Sequence, residues 1–380
     1  MANLMDYLDW RGDLSLAQAP FNEVDNLILS ELAFIDFDGI VPVPGEGRSV
    51  VLWQAAEAFF SRNSRQQVDM GVLVPDAIVD LLHKAAETNR FRGAKLSCFV
   101  DRLSVERTEQ FAAVTVELED GTLFLAFRGT DDTLAGWKED FNMAWMQEVP
   151  AQKMAVEYVR TVAKCYPRKK IRLGGHSKGG NLAVWASVFA PASVQRRILH
   201  TWSNDGPGFH DEVAESPRFC MMRGRISTIV PKSSVVGLLL RQEKDYVVVD
   251  SSQIGLLQHD GFSWKVLGDS FVRLQDVTRG SRKTEQAMKE WLRDTDQIQR
   301  EKFVEGLFAV LTASGAETLT ELKEDRGKSA LAMVKAMKDM EKDTRDVLTH
   351  AVRLLLKNSM KATVGDLQQG AGKLVKTIGK

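Results

Sequence analysis

The segment IRLGGHSKGGNLAVWAS at residues 171–187 contains the feature that decides how this chain folds. An apolar, strand-like run ends at one pair of glycines, and a helix-like run begins after a second pair. Glycines placed between a strand and a helix indicate a very tight backbone turn. The pattern G-x-S-x-G at 175–179, in this strand–turn–helix context, predicts a nucleophile elbow that displays Ser177.

A glycine-rich turn of this kind also fits two simpler roles. In the first, the glycines only allow the strand and the helix to pack closely. In the second, the turn binds a phosphate group, but Lys178 precedes the second glycine pair and no Lys-Ser/Thr pair closes the loop. An elbow adds a chemical consequence, because the helix that begins after Ser177 directs its N-terminal amides toward a developing oxyanion.

The order of predicted elements around this segment indicates the α/β class. Helical patterns alternate with apolar strand patterns, in the order helix 151–166, strand 169–175, helix 181–190, and strands 198–204, 225–231 and 245–251. Such alternation is typical of a parallel sheet with crossover helices. Residues 111–128 predict a hairpin that turns at Asp120-Gly121. We therefore expect a mostly parallel sheet with helices on both faces.

We expect three regions along the chain. Residues 1–95 form a helical and strand-containing region packed on the core, with a possible role as a lid, and within it residues 21–37 predict a helix that runs into a short strand. Residues 96–280 form the α/β core. Residues 281–380 form a charged helical appendage, because apolar residues there recur at helical spacing among charged ones.

Composition excludes several classes of protein. The chain has 380 residues, 44% of them hydrophobic and 27% charged, with a formal net charge of -1, which is typical of a globular protein and not of a nucleic-acid binder. The N-terminal sequence lacks the pattern of a secretory signal. Cys98, Cys165 and Cys220 are too scattered for a metal cluster and predict buried free thiols. We expect a cytoplasmic protein with no cofactor or metal.

A serine nucleophile needs a base and an acid, which follow it along the chain in the order serine, acid, histidine. His259 follows the last predicted strand by a short connection and is the candidate base; alternatively, it is a surface-loop histidine. Asp205, at the C-terminal end of the strand after the elbow helix, is the candidate acid. It could instead cap the turn at 206–208. Asp250 and Asp260 are weaker candidates for the acid.

The same chemistry needs two backbone amides that bind an oxyanion. Lys178, directly after the nucleophile, is expected to provide one of them. The loop after the strand that ends near residue 127 is expected to provide the other, from Thr130. Arg128 and Asp140 can fix this loop to its neighbours. A plain surface turn explains less of the composition of this loop.

Several motifs together resemble one family: F-R-G-T at 127–130, Trp137, Asp140, G-H-S-K-G-G-N-L-A at 175–183 and D-G-P-G at 205–208. They are similar to the bacterial lipase-like α/β-hydrolases related to the class 3 lipases, over roughly residues 22–270. The resemblance implies an α/β-hydrolase fold with Ser177 as nucleophile and His259 as base. It also implies an oxyanion hole formed by Thr130 and Lys178.

The chain departs from this family at one important position. Class 3 lipases carry the triad acid where this chain reads PKSSVVG at 231–237, which offers only Ser233 and Ser234. Asp205 therefore replaces the usual acid, or the triad is incomplete.

Two functions of different classes follow. The first is a serine hydrolase that cleaves a carboxylic ester, either a small-molecule or a lipid acyl ester, through an acyl-enzyme intermediate, and the intact elbow, oxyanion loop and His259 favour it. The second is a catalytically impaired hydrolase-fold protein that binds partners through its C-terminal helices, and the missing acid favours it. Residues 361–380, with four lysines and one aspartate, could also contact an anionic membrane weakly.

Overall fold

The computed structural model describes residues 2–63, 68–72, 74–240, 246–346 and 348–349. The strands of the described residues are β1 Val50–Val51, β2 Lys95–Ser104, β3 Glu109–Glu117, β4 Leu123–Phe127, β5 Ile171–His176, β6 Ile198–Asn204, β7 Ile226–Pro231, β8 Val247–Val249, β9 Val266–Leu267, β10 Ser270–Phe271 and β11 Arg273–Leu274.

Helices fill most of the remaining described chain. The α-helices are α1 Leu4–Arg11, α2 Glu23–Leu32, α3 Leu52–Arg62, α4 Ala77–Glu87, α5 Leu134–Asn142, α6 Pro150–Cys165, α7 Lys178–Phe189, α8 Ala192–Gln195, α9 Asp211–Ala214, α10 Pro217–Met222, α11 Arg279–Asp294, α12 Gln297–Leu311, α13 Leu319–Glu324 and α14 Arg326–Asp339. Short 3₁₀ helices lie at Arg223–Arg225, Val236–Leu238, Gly255–His259, Gly261–Ser263 and Thr312–Ser314.

Nine strands form one mixed sheet in the order β1-β2-β3-β4-β5-β6-β7-β8-β11. The run from β4 to β8 is parallel, whereas β1 to β4 pair antiparallel and β11 pairs antiparallel with β8. Strands β9 and β10 form a separate small hairpin. The α/β class, the parallel arrangement around residues 175–179 and the helical C-terminal region are confirmed, in the layered arrangement that the resemblance to α/β-hydrolases implies.

The two faces of the sheet are covered by different helices. Along β4, Phe124 faces the core that contains Leu27 of α2, whereas Leu125 faces the core that contains Val159 of α6 and Leu182 of α7. Every residue of β4 is buried. Because successive side chains of a strand point to opposite faces, a strand covered on both sides is apolar throughout.

Local patterns predicted the hairpin and the longer elements around residues 171–187, but they missed several other elements and were wrong about one. The hairpin is confirmed, with Gly121 at a φ of 76° in its turn. The expected strand after α2 is wrong, since Phe34 and Ile35 are buried in successive turns. Strand β2 was not predicted, because a bulge between Ser97 and Val100 interrupts its alternation.

Helix α2 lies against the sheet beneath the elbow and is fixed there by buried polar contacts. The carboxylate of Asp25 accepts hydrogen bonds from Arg90 and from the hydroxyl of Tyr7, and the side chains of Asp25 and Arg90 are fully buried. Asn26 donates to the side chain of Asn204 at 2.9 Å, at the end of β6. The N-terminal residues therefore share the main core with the sheet, and their role as a lid stays a prediction.

The C-terminal helices pack on α5, the helix that follows the predicted oxyanion loop. Phe308 of α12 lies 5.6 Å from Phe141 between ring centroids. Residues 317–320, here called the C-terminal strap, also pair with the start of α5. The amide of Leu134 donates to Glu317 O at 2.8 Å, and the amides of Leu319 and Thr320 donate to the backbone and side chain of Asp132.

The expectations about thiols and membrane contact have mixed outcomes. All three cysteines are free, but only Cys98 is buried, so the expectation of buried thiols is wrong for Cys165 and Cys220. Across the residues described above, no helix combines the length and the apolarity needed to cross a bilayer. The basic segment 361–380 lies outside the described residues.

Replacing Asp25 by alanine should destabilise the protein strongly. The change leaves the Arg90 guanidinium buried without its carboxylate, which costs about 3–5 kcal/mol. Replacing Glu157, whose ion pair with Arg160 is exposed, should cost less than about 1 kcal/mol. Urea unfolding of both variants measures the difference, and equal losses would contradict the role given to Asp25.

Candidate active site

The predicted elbow segment is a strained turn between β5 and α7. Ser177 has a φ of 56° and a ψ of -131°, a conformation that L-residues rarely adopt. Its amide donates to Asn204 O at 2.9 Å, and its side chain is partly exposed. The turn therefore places the serine beside the end of β6, where Asp205 follows.

The glycines of this turn are required by close contacts between backbones. A Cβ at Gly175 would lie 2.2 Å from the carbonyl carbon of Gly179, and a Cβ at Gly179 would lie 2.1 Å from Phe127 O. Real Cβ atoms do not approach other atoms so closely, so larger side chains would displace the end of β4 or the start of α7.

Asp205 and His259 are brought together across 54 positions of sequence. The Nδ1 atom of His259 lies 2.6 Å from Oδ2 of Asp205, which is fully buried. A carboxylate only accepts hydrogen bonds, so Nδ1 carries the proton and a neutral ring leaves Nε2 able to accept one. The imidazole is itself partly exposed. This arrangement can remove a proton from a neighbouring hydroxyl.

The position where the resemblance implies an acid is occupied by a serine that contacts Asp205. Ser234 donates through its hydroxyl to Oδ1 of Asp205 at 2.6 Å, and the amide of Gly237 donates to the same oxygen at 3.2 Å. Together with His259, the described residues thus direct three donors toward one buried carboxylate. Sequence reasoning proposed Asp205 but missed the contact from Ser234.

The remaining candidate acids have different partners. Both carboxylate oxygens of Asp250 are bound by lysines, Lys232 and Lys265, each at 2.6 Å. Burial alone would raise the pKa of Asp250, but these hydrogen bonds lower it below its usual value. Asp260 accepts from the amide of Phe262 at 2.9 Å, and burial raises its pKa.

His176, the residue before the predicted nucleophile, fixes the loop that carries His259. The two imidazole rings stack with centroids 4.6 Å apart and an interplanar angle of 33°. Nε2 of His176 also lies 2.7 Å from the backbone oxygen of His259. The predicted base is thus anchored to the last residue of β5, directly before Ser177.

The predicted oxyanion loop passes beside the elbow. A Cβ at Gly129 would lie 3.3 Å from Cβ of Ser177 and 2.7 Å from His176 O. The next residue, Thr130, donates its hydroxyl to Asp140. Burial raises the pKa of Asp140 to about 6, although the charge of Lys178 opposes this shift.

The side chain of Lys178 is buried, which sequence reasoning did not foresee. Its Nζ donates to Glu139 at 2.7 Å and to Gln110 at 2.9 Å. Glu139 also accepts from the amide of Ala151 at 2.7 Å. Lys178 therefore links the first turn of α7 to α5, β3 and α6. The sequence feature that could have predicted this burial was the position of Lys178 within the tight turn between β5 and α7.

Arg128 holds the opposite side of the oxyanion loop. Its guanidinium binds both oxygens of Asp101, at 2.6 and 2.9 Å, and contacts Asp131 at 3.2 Å. Asp131 in turn accepts from the amide and hydroxyl of Thr133. Arg128 and Asp140 thus each fix the loop, but to different neighbours.

Part of the chain matches a protein family and several solved structures of lipases. The family model described as Mbeg1-like matches residues 85–309. No match was found among curated proteins. The chain spans 57 to 66% of the length of four of the matching lipases.

Three of the matching structures show how distant the similarity is. A triacylglycerol lipase described as having a serine protease triad is 14% identical, with 60% of this chain and 78% of that chain covered and a TM-score of 0.35. A mutant form of MDLA from Penicillium cyclopium is 11% identical, with 68% and 87% covered and a TM-score of 0.37. The Rhizomucor miehei lipase propeptide complex is 14% identical, with 42% and 57% covered and a TM-score of 0.29.

Replacing Gly179 by alanine should destabilise the protein by at least about 1–3 kcal/mol, because the new Cβ overlaps Phe127 O. Gly224 is the matched control, since a Cβ there meets nothing within 4 Å. The control should change stability by less than about 0.5 kcal/mol. Thermal unfolding compares the two, and a neutral Gly179→Ala would show that the elbow can relax.

Proposed function

The chain belongs to the Mbeg1-like family, and for this member we propose a serine hydrolase that cleaves a carboxylic ester through an acyl-enzyme intermediate. The observation that carries the proposal is the 2.6 Å contact between His259 and the buried carboxylate of Asp205, anchored beside a strained, partly exposed Ser177. A histidine oriented by a carboxylate can activate a serine hydroxyl for attack, and His259 is held by His176, the residue directly before Ser177.

In the proposed reaction, Ser177 Oγ attacks the ester carbonyl carbon while His259 Nε2 takes the hydroxyl proton. Asp205 stabilises the resulting imidazolium through Nδ1. The amides of Thr130 and Lys178 donate to the oxyanion. The C–O bond to the leaving alcohol then breaks, and His259 returns the proton to that alcohol.

Deacylation repeats these steps with water as the nucleophile. His259 takes a proton from water as its oxygen attacks the acyl carbon, and the carboxylic acid leaves as Ser177 regains its proton. The reaction consumes one ester and one water and needs neither metal nor redox cofactor. The arrangement fits a small-molecule or a lipid acyl ester as substrate, and a cytoplasmic location belongs to the same proposal.

The alternative, an impaired hydrolase that acts through its C-terminal helices, depended on a missing acid. Asp205 supplies a carboxylate at the required nitrogen, with Ser234 at the usual position of the acid as its hydrogen-bond donor. The apolar face of α12 is partly occupied by Phe141 of α5, and α14 packs on α12 in the same cluster. Both observations favour the enzyme.

Replacing Ser177 by alanine should abolish labelling by a fluorophosphonate probe, because the probe reacts with an activated serine. Ser233→Ala is the control, since Ser233 is engaged through its amide with Gln258 and should label normally. Mass spectrometry of the labelled peptide identifies the serine. Labelling that survives in Ser177→Ala, or that maps to another serine, would refute the assignment.

Replacing Asp205 by asparagine should lower the turnover of a short acyl ester by a factor on the order of 10⁴, because the imidazole loses the partner that fixes its tautomer. Ser234→Ala removes only one donor to Asp205 and should cost roughly tenfold, or about 1.4 kcal/mol. Steady-state kinetics with p-nitrophenyl butyrate gives both ratios. An Asp205→Asn variant as active as Ser234→Ala would exclude Asp205 as the acid.

A further inference from the structure

A second pair of buried titratable groups lies directly behind the proposed site. Glu31 of α2 is 1% exposed, and its two carboxyl oxygens have no hydrogen-bond partner within the part of the chain that the structure describes. Oε1 of Glu31 lies 3.4 Å from Nδ1 of His176. Burying an ionised carboxylate without a hydrogen-bond donor costs free energy. The protonation state and the location of Glu31 therefore require an explanation.

The hydrogen bond from His176 to the backbone fixes the position of its proton. Nε2 lies 2.7 Å from the carbonyl oxygen of His259, and a carbonyl oxygen can only accept, so Nε2 carries the hydrogen. Burial, followed by the nearby His259, lowers the pKa of His176 well below its usual value. The ring is therefore neutral, and Nδ1 presents a lone pair toward Glu31.

A neutral Glu31 would complement this lone pair. Burial raises the pKa of Glu31 well above its usual value, and the negative charge of Asp260 raises it further. An ionised carboxylate facing the lone pair of Nδ1 would be both desolvated and repelled. A neutral carboxyl group can instead direct its O–H toward Nδ1.

We propose that Glu31 and His176 form a neutral hydrogen-bonded chain that positions His259: the Glu31 carboxylic acid donates to His176 Nδ1, and His176 Nε2–H donates to the carbonyl of His259. The inference rests on the proposed hydrolase function, because it gives the two residues a role in aligning the base. Neither contacts the reacting atoms, so both are positioning residues.

The packing around this pair supports a role in positioning. A Cβ at Gly261 would lie 2.7 Å from Oε1 of Glu31, so the loop after His259 rests directly on the carboxyl group. Trp264 stands edge-on to the His176 ring at 6.4 Å and donates to the backbone of Gln258 at 2.8 Å. The loop is thus held on both sides of the base.

Two variants of Glu31 separate the effect of its hydrogen bond to His176 from the effect of its side-chain volume. Glutamine is neutral, is nearly the same size and can donate from its amide to Nδ1, whereas leucine fills similar space without a donor. The rate constant for fluorophosphonate labelling of Ser177 should stay within about threefold of wild type in Glu31→Gln and fall at least tenfold in Glu31→Leu. With p-nitrophenyl butyrate, the loss in Glu31→Leu should appear in kcat with little change in KM.

A spectroscopic test is independent of activity. Wild-type protein near neutral pH should show the infrared carbonyl band of a neutral carboxylic acid, and the Glu31→Gln difference spectrum should show its loss. Glu31→Asp is a second control, since its shorter side chain should retain the acid but weaken the contact to His176. Among the described residues, the charged or titratable groups that act on the pair are Asp260 and His259. Because burial is the larger cause of the raised pKa of Glu31, Asp260→Asn should leave this band in place.

The outcomes distinguish the two proposals. Absence of labelling in the wild type contradicts the hydrolase function, whereas the infrared band then still decides whether Glu31 is neutral. A labelled wild type with equal rates in Glu31→Gln and Glu31→Leu contradicts the positioning role. If Glu31→Leu fails to fold, a tenfold loss in the folded Glu31→Gln variant, or no band assigned to Glu31, overturns the inference.

Discussion

The contact between the end of β4 and the first turn of α7 constrains the rest of the site. Phe127 O occupies the space that a side chain at Gly175 or Gly179 would need. Because Phe127 directly precedes the loop at 128–130, the same contact that forces the strained conformation of Ser177 also fixes the distance between the serine and the proposed oxyanion donors. The serine and these donors are parts of one packing arrangement.

Buried charges then connect this arrangement to the surrounding helices. The Lys178 ammonium is paired with Glu139, and both side chains are almost completely buried. Removing one member of such a pair leaves an uncompensated charge at a cost of about 3–5 kcal/mol, whereas an exposed pair contributes at most about 1 kcal/mol. Helix α5 is therefore tied to the elbow by electrostatics as well as by chain connectivity, and it cannot move without exposing or separating these charges.

The sequence predicted those parts of the site whose signals are local. Glycine spacing predicted the tight turn at Ser177, and chain order suggested His259 and Asp205, which the structure places in contact. Glu31 and Glu139 were missed because their partners, His176 and Lys178, each lie more than 35 positions away in the sequence. Local periodicity in the sequence does not predict that a carboxyl group will face the lone pair of a histidine in the folded chain.

The errors in predicting the fold have a similar origin. The apolar residues Phe34, Ile35 and Phe37 suggested a strand, but they are buried in the turn and irregular segment that follow α2. A side chain can be buried in the core without its backbone forming the hydrogen bonds of a β-strand. In β2, Cys98 takes a φ of 55° at the bulge, so two adjacent residues fall out of alternation and the strand loses its pattern.

The C-terminal strap has a thermodynamic consequence for the whole chain. Asp132 binds Leu319 and Thr320 of the strap on one side, and Thr130 lies two residues away on the other. Loosening of the strap and disorder of the loop at 128–130 are therefore linked equilibria, and linkage is reciprocal. A ligand that orders the loop would, by the same free energy, slow exchange of the strap amides with solvent, so that a segment distant in sequence from Ser177 would report whether the ligand is bound.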